Sequence, residues 1–175
     1  MVKSILSVVH RLSVAQDRLY ANVQGMCLFF KSEILLGAHQ LGAVTIVSRT
    51  SLTAPTVDTI KAALFLVSAS RGVADTVYNT TGEVSGTGYT AGGVTVTNAT
   101  APTTSGTTGI WTPSASFVYT TVTLSTAFDA VLVYNSTQGN RAISVHTFGS
   151  QTVTAGTFTL TMPTNDASNA LVRIA

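Results

Sequence analysis

Charge is what this chain has least of. Charged side chains make up 9% of the 175 residues, where a soluble domain typically carries about 25%. Such a surface must be covered by Thr, Ser, Gly and Asn, which suits a protein held in an assembly better than one diffusing freely. So few ionisable groups also argue against an enzyme built on several of them. A nucleic-acid binder needs a basic patch. Nine Lys and Arg against seven Asp and Glu, with no basic cluster, do not supply one. The one cysteine, Cys27, excludes an intrachain disulfide. Inside Met26-Cys27-Leu28-Phe29-Phe30 it reads as a small buried hydrophobe rather than a nucleophile. None of the three histidines, His10, His39 and His146, has a His or Cys partner at metal-ligand spacing. No apolar run approaches the roughly 20 residues that cross a bilayer. The run Ile5-Leu6-Ser7-Val8-Val9 is cut off by His10-Arg11, short of a secretory core.

Motifs for chemistry are equally scarce. Gly86-Thr87-Gly88-Tyr89-Thr90-Ala91 fails the G-x-G-x-x-G fingerprint at its last position, and no helix pattern follows. There is no G-x-S-x-G elbow. Glu83 with Asp129 or Asp75 is a formal acid pair for glycoside hydrolysis and no more than that. The expectation is no catalytic residue, no metal and no cofactor.

What is present divides into three stretches. Residues 1–25 carry helical periodicity: at about 100° per residue, Ile5, Val8, Val9, Leu12, Ala15, Leu19, Tyr20 and Val23 share one arc. Lys3, His10, Arg11, Asp17 and Arg18 lie on the other, and Gly25 can end the helix. A lone helix of this length is marginal in water. Its stripe must therefore bury on its own domain, on a partner subunit or on a membrane surface. Residues 26–57 read as a connecting segment, with an apolar run at Phe29–Leu36, a strand at Val44–Ser48 and a Pro55 loop.

From Asp58 to the end the texture is Thr, Val, Gly and aromatic residues. Strands are predicted at Thr59–Val67, Val94–Asn98, Phe117–Leu124, Ala130–Tyr134, Ala142–Phe148, Thr157–Met162 and Leu171–Ile174. Gly149 and Gly156 bracket Gln151–Thr154, which reads as a hairpin turn. Residues 98–116 read as an exposed low-complexity loop pinned to the core by Trp111. His146 falls on the strand face opposite Ile143, Val145 and Thr147 and reads as a satisfied or solvent-facing side chain. The fold class is mainly β: an antiparallel sandwich or barrel with an N-terminal amphipathic helix. Seven of the nine basic side chains but only three of the seven acidic ones fall in residues 1–71. That asymmetry is compatible with head-to-tail subunit packing.

One stretch is distinctive: Thr81-Gly82-Glu83-Val84-Ser85-Gly86-Thr87-Gly88-Tyr89-Thr90-Ala91-Gly92-Gly93. With it stand Asp58-Thr59-Ile60-Lys61-Ala62-Ala63-Leu64-Phe65, Asp129-Ala130-Val131-Leu132-Val133-Tyr134-Asn135 and Ala155-Gly156-Thr157-Phe158-Thr159-Leu160. In this order they resemble a family of small virion structural proteins of tailed bacteriophages. The resemblance spans about residues 29–175 and leaves residues 1–25 outside it. It implies a head-decoration, cement, head-fibre or tail component, located in the virion, and no catalytic residue. The expected partners are the major capsid protein and further copies of the chain, with no nucleic acid and no membrane. The expected contacts are Ile5, Val8, Val9, Leu12 and Leu19 on the helix stripe, with Phe29 and Phe30.

Overall fold

A computed structural model describes residues 24–27, 57–97 and 101–175. Within them the chain is mainly β, in two antiparallel sheets. The strands are β1 (Gln24–Met26), β2 (Ile60–Leu66), β3 (Val94–Thr95), β4 (Thr103–Ser105), β5 (Thr108–Trp111), β6 (Phe117–Asn135), β7 (Arg141–Leu160) and β8 (Val172–Ile174). The larger sheet has the order β1-β7-β6-β2-β3 and the smaller β4-β5-β8. The described strands do not close into a barrel. The N-terminal helix and the Val44–Ser48 strand lie outside the described residues. Gly25, read as a helix end, is inside β1, where it faces Val145 of β7.

β6 and β7 dominate the architecture. Four strands were expected where the chain makes two: Phe117–Leu124 and Ala130–Tyr134 are one 19-residue strand, and Arg141–Leu160 is continuous over 20 residues. Gln151–Thr154 is therefore strand, not turn, with Gln151 opposite Phe128 and Val153 opposite Leu124. The turn-like composition there answers to register shifts instead. The pairing slips between Tyr119 and Val122, Val122 and Leu124, Leu124 and Phe128, Phe128 and Ala130, and Val133 and Tyr134. Thr121 and Ala155 take left-handed backbone at φ 53° and 44°, as bulges require. Bulges bend and twist a long ribbon, and they blunt the open edge that an uncharged strand would otherwise present.

The core follows from the central strands. Ala130-Val131-Leu132-Val133-Tyr134 is buried throughout, as its unbroken apolar run demands for a strand covered on both faces. β2 lies on one side of it and β7 on the other. Trp111 and Val172 of the smaller sheet belong to the same apolar cluster, so both sheets share one core. Within the stretch read as a loop over 98–116, the described residues 101–116 are only partly loop, because β4 and β5 form a hairpin there. Thr and Gly sit comfortably in a short exposed hairpin, so composition alone did not separate the two. Trp111 is 2% exposed, as a core pin should be.

The β6–β7 turn is tied to the start of β2. The Asn135 amide donates to Asp58 Oδ2 at 2.6 Å, and Gln138 Nε2 donates to Asp58 Oδ1 at 3.1 Å. Asn135 Oδ1 accepts from Thr137 N and Gln138 N. The Thr59 carbonyl accepts from both the backbone N–H and the hydroxyl of Ser136.

The chain between β2 and β3 folds back along the free edge of β2. Val84 N donates to Leu64 O and Leu66 N to Gly82 O, after which Val94 and Thr95 pair with Ala62 and Lys61. Gly93 makes this return possible. Its φ is +71°, and a Cβ there would overlap the Ala62 carbonyl. Gly93→Ala should cost about 3 kcal/mol or more, combining left-handed strain with a backbone clash. Gly106→Ala, also left-handed but with open space around it, should cost about 1–2 kcal/mol from strain alone. Urea denaturation of the two variants measures the difference.

Candidate functional site

The distinctive 81–93 stretch is organised around one carboxylate. Glu83 is half-buried, and both of its oxygens are engaged. Tyr78 Oη donates to Oε2 at 2.6 Å, Tyr89 Oη donates to Oε1 at 2.7 Å, and Gly92 N donates to Oε1 at 2.7 Å. The same tyrosines reach outward. Leu64 N donates to Tyr89 Oη at 3.0 Å, and Tyr134 Oη donates to Gly92 O at 2.9 Å. Tyr119 Oη donates to Ala62 O at 2.8 Å. The rings also pair: Tyr78 stacks on Tyr134 with centroids 4.3 Å apart, and Tyr89 on Tyr119 at 5.9 Å. Four of the five tyrosines of the chain thus gather around one acid.

The stretches that carry the resemblance meet here. β2 supplies Ala62 and Leu64, the 81–93 loop supplies Glu83, Tyr89 and Gly92, and β6 supplies Tyr134. Phe158 of β7 closes the far side against Tyr119 and Phe128. Gly86 and Gly88 let the loop run flush against β6, where a Cβ on either would overlap the carbonyl of Thr123 or Thr121. Thr123 N donates to Thr87 O across that contact.

Beside the clamp, the Arg71 guanidinium lies 3.9 Å over the Phe65 ring. It donates to Asp75 Oδ1 at 2.9 Å and to Thr81 O at 2.6 Å. Glu83 and Asp75, two of the acids that could have formed a hydrolytic pair, are thus each committed to structural bonds. Chemically the arrangement is a brace: strong donors satisfy a carboxylate that has left much of its water.

Cys27 is buried, and its thiol is pushed up to about 12, chiefly by burial and secondarily by Asp75. That fits the small-hydrophobe reading. His146 is buried too, with Nε2 3.0 Å from Ser144 Oγ. It faces away from Ile143 and Val145, as the alternation predicts, and is covered rather than solvated. An open cleft of about 600 Å³ lies at the β6–β7 turn, lined by Thr76, Val77, Thr137, Gln138, Gly139 and Arg141.

The expected contact residues Ile5, Val8, Val9, Leu12, Leu19, Phe29 and Phe30 all lie outside the described residues, so the structure brings none of them together. Among the described residues no group of three His, Cys, Asp or Glu could hold a metal ion, and no helix is long and apolar enough to cross a membrane. Sequence reasoning quoted Glu83 and Tyr89 within the motif but did not foresee the tyrosine cluster. The available signal was that four of the five tyrosines fall after Asp58. No protein-family model, curated protein or solved structure matches the chain.

Two predictions follow from the clamp and from the buried histidine. Glu83→Gln replaces one acceptor oxygen by an amide facing a donor and removes the charge from the other bonds. Stability should fall by about 2–4 kcal/mol, read from urea denaturation at neutral pH.

Stability should also be flat between about pH 6.5 and 9, where the thiol of Cys27 begins to ionise in the unfolded chain but not in the folded one, and fall on both sides. Burial pulls His146 from 6.5 down to about 4. The unfolded chain therefore takes up a proton that the folded chain refuses, and stability is lost as pH falls through that interval. Burial first and Glu83 second raise the phenols of Tyr78, Tyr89, Tyr119 and Tyr134 above 10, Tyr134 to about 12. Above pH 10 the unfolded phenols ionise while the folded ones do not, so stability falls again. Denaturation midpoints across pH check both limbs, and His146→Gln should flatten the acid limb alone.

Proposed function

We propose that the chain is a structural protein of a tailed-bacteriophage virion. It acts as a capsid decoration or cement protein, a β-sandwich module that binds the major capsid protein and stabilises the head shell as a homo-oligomer. The observation that carries this reading is the ordered set of stretches from Asp58 to Leu160 that resembles that family. Those stretches meet at one place in the fold, around Glu83. A motif used to brace a β domain suits a protein whose task is to persist on a particle. The scarcity of charge adds support, since a protein seated in a shell needs little colloidal repulsion of its own. In this reading the protein is not an enzyme, needs no cofactor and contacts neither nucleic acid nor membrane. The apolar stripe of Ile5, Val8, Val9, Leu12 and Leu19, with Phe29 and Phe30, makes the contacts to the shell or to neighbouring copies.

A second reading is a tail or fibre component that contacts the host surface. The cleft at the β6–β7 turn favours it, because exposed loops around residues 135–140 are where such a protein would engage a receptor.

Deleting residues 1–22 leaves β1 whole. It should abolish binding to purified particles while the β domain keeps its denaturation midpoint. Unchanged particle binding would remove the helix stripe from the contact. Copy number per particle, by quantitative mass spectrometry against the major capsid protein, separates the two readings. A number comparable to the capsid protein supports a lattice-wide decoration role. A number matching tail-ring proteins supports the second reading.

A further inference from the structure

A second cavity, of about 170 Å³, lies between the larger sheet and the chain that follows β7. It is a partly open cleft, with Thr161 and Asn169 exposed on its outer wall. The outer wall is tied at two points to the chain between β5 and β6. Met162 N donates to Ser116 Oγ at 3.3 Å, and Leu171 N donates to Thr112 Oγ1 at 3.0 Å. Between them Asp166 gathers the backbone N–H groups of Ser168 and Asn169, and the Asn169 amide, into a tight turn. A wall pinned in this way cannot settle inward to fill the gap.

The lining has a definite chemistry. Phe117 and Val131 of β6, Leu160 of β7, and Met162, Pro163 and Leu171 of the outer wall are apolar. The polar groups are His146 on the sheet side and Thr161 and Asn169 on the other. His146 is 9% exposed. Among the described residues no charged side chain lines the space.

We propose that this cavity is a binding site for a small neutral amphiphile: one aromatic ring or a short aliphatic chain carrying a single hydroxyl or amide. The volume suits a guest of that size, since an apolar cavity of about 150 Å³ takes a benzene-sized guest. The apolar walls receive the ring or chain, and the His146 imidazole offers the hydroxyl its Nδ1, since Nε2 is engaged by Ser144 Oγ. A carboxylate or an ammonium is excluded, because entering the site would strip its water with no opposite charge to replace it. This is the architecture of small-molecule sites in general, mostly apolar with a few convergent polar groups. The inference is independent of the virion reading and stands on the cavity alone.

The test uses the full chain at neutral pH with phenol, cyclohexanol, indole and benzene as neutral probes, and benzoate and benzylammonium as charged ones. Binding is read from the shift of the denaturation midpoint with probe concentration and from the His146 ring signals in NMR. The expected result is saturable stabilisation by the neutral probes, perturbation of the His146 signals, and at least about tenfold weaker binding of the charged ones, a difference of about 1.4 kcal/mol. Val131→Phe, or Leu171→Phe from the opposite wall should the first fail to fold, fills the space and should abolish binding. His146→Leu should remove the preference for phenol over benzene while leaving benzene bound. Absence of saturable stabilisation by any neutral probe would mean that the cavity holds only water, and the proposal would be wrong. Binding that survives both filling variants, or that leaves His146 unperturbed, would place the guest elsewhere and overturn it as well.

Discussion

A carboxylate half-withdrawn from water must be satisfied by the protein that withdraws it. Glu83 is satisfied by two phenol hydroxyls and one backbone N–H, and each donor is itself fixed to something else. Tyr89 also receives the N–H of Leu64, and the segment of Gly92 is held by Tyr134. The loop over 81–93, the free edge of β2 and the end of β6 are therefore not three independent pieces. Moving any one of them breaks bonds made by the others. Networks of this kind polarise their members and rigidify the parts they join. The close glycine contacts against β2 and β6 are a consequence, because a loop held that tightly leaves no room for side chains at Gly86, Gly88 or Gly93.

The low charge of the chain takes on a different meaning once the charges are located. Asp58 is buried against Asn135 and Gln138 at the β6–β7 turn. Arg71 and Asp75 face each other beside Phe65. Glu83 holds the clamp. These groups are employed inside the fold, so the outer surface of the described domain is poorer in charge than the composition indicates. Thr, Ser and Gln cover most of the exposed distal half of β7. Such a surface is wetted through hydroxyls and amides and carries little field, so long-range steering of partners contributes little to its associations.

The pattern of periods revealed the β class, most strand positions and the fully buried run at Ala130–Tyr134, because these depend on neighbours in sequence. It failed where the outcome depends on distant partners. Gly149, Gly156 and the polar residues between them look like a turn locally, yet pairing with β6 keeps them extended, and bulges absorb the mismatch. The 98–116 stretch looked like a loop because Thr, Ser and Gly serve both exposed hairpins and coils. Glu83 stood inside a quoted motif with two of its partners, Tyr89 and Gly92, and Tyr78 lies five positions before it, but the tyrosines that tie the motif to the sheet could not be read there. Tyr134 meets the Gly92 carbonyl from 42 positions away, and Tyr119 meets the Ala62 carbonyl from 57. A tyrosine carries no signature of the carbonyl it will find. The stripe proposed as the contact surface rests on helical spacing and lies outside the described residues.

The order in which the strands leave the ribosome matters for a fold built in this way. β2 is synthesised early, yet its central partner β6 is completed only at Asn135, and Asp58 waits for Gln138, 80 positions later. Each of these closures costs loop entropy before any contact repays it. Chains dominated by such distant pairings fold on the slow side, in milliseconds to seconds. Among the described residues the β6–β7 hairpin is the one large element that can form from neighbouring sequence, across the short turn at residues 136–140. It is therefore the natural template on which β2 and the 81–93 loop later dock. Until it exists, the apolar run of β2 has nowhere to hide, and the nascent chain must carry Ala62-Ala63-Leu64-Phe65 exposed while β6 and the start of β7 are made.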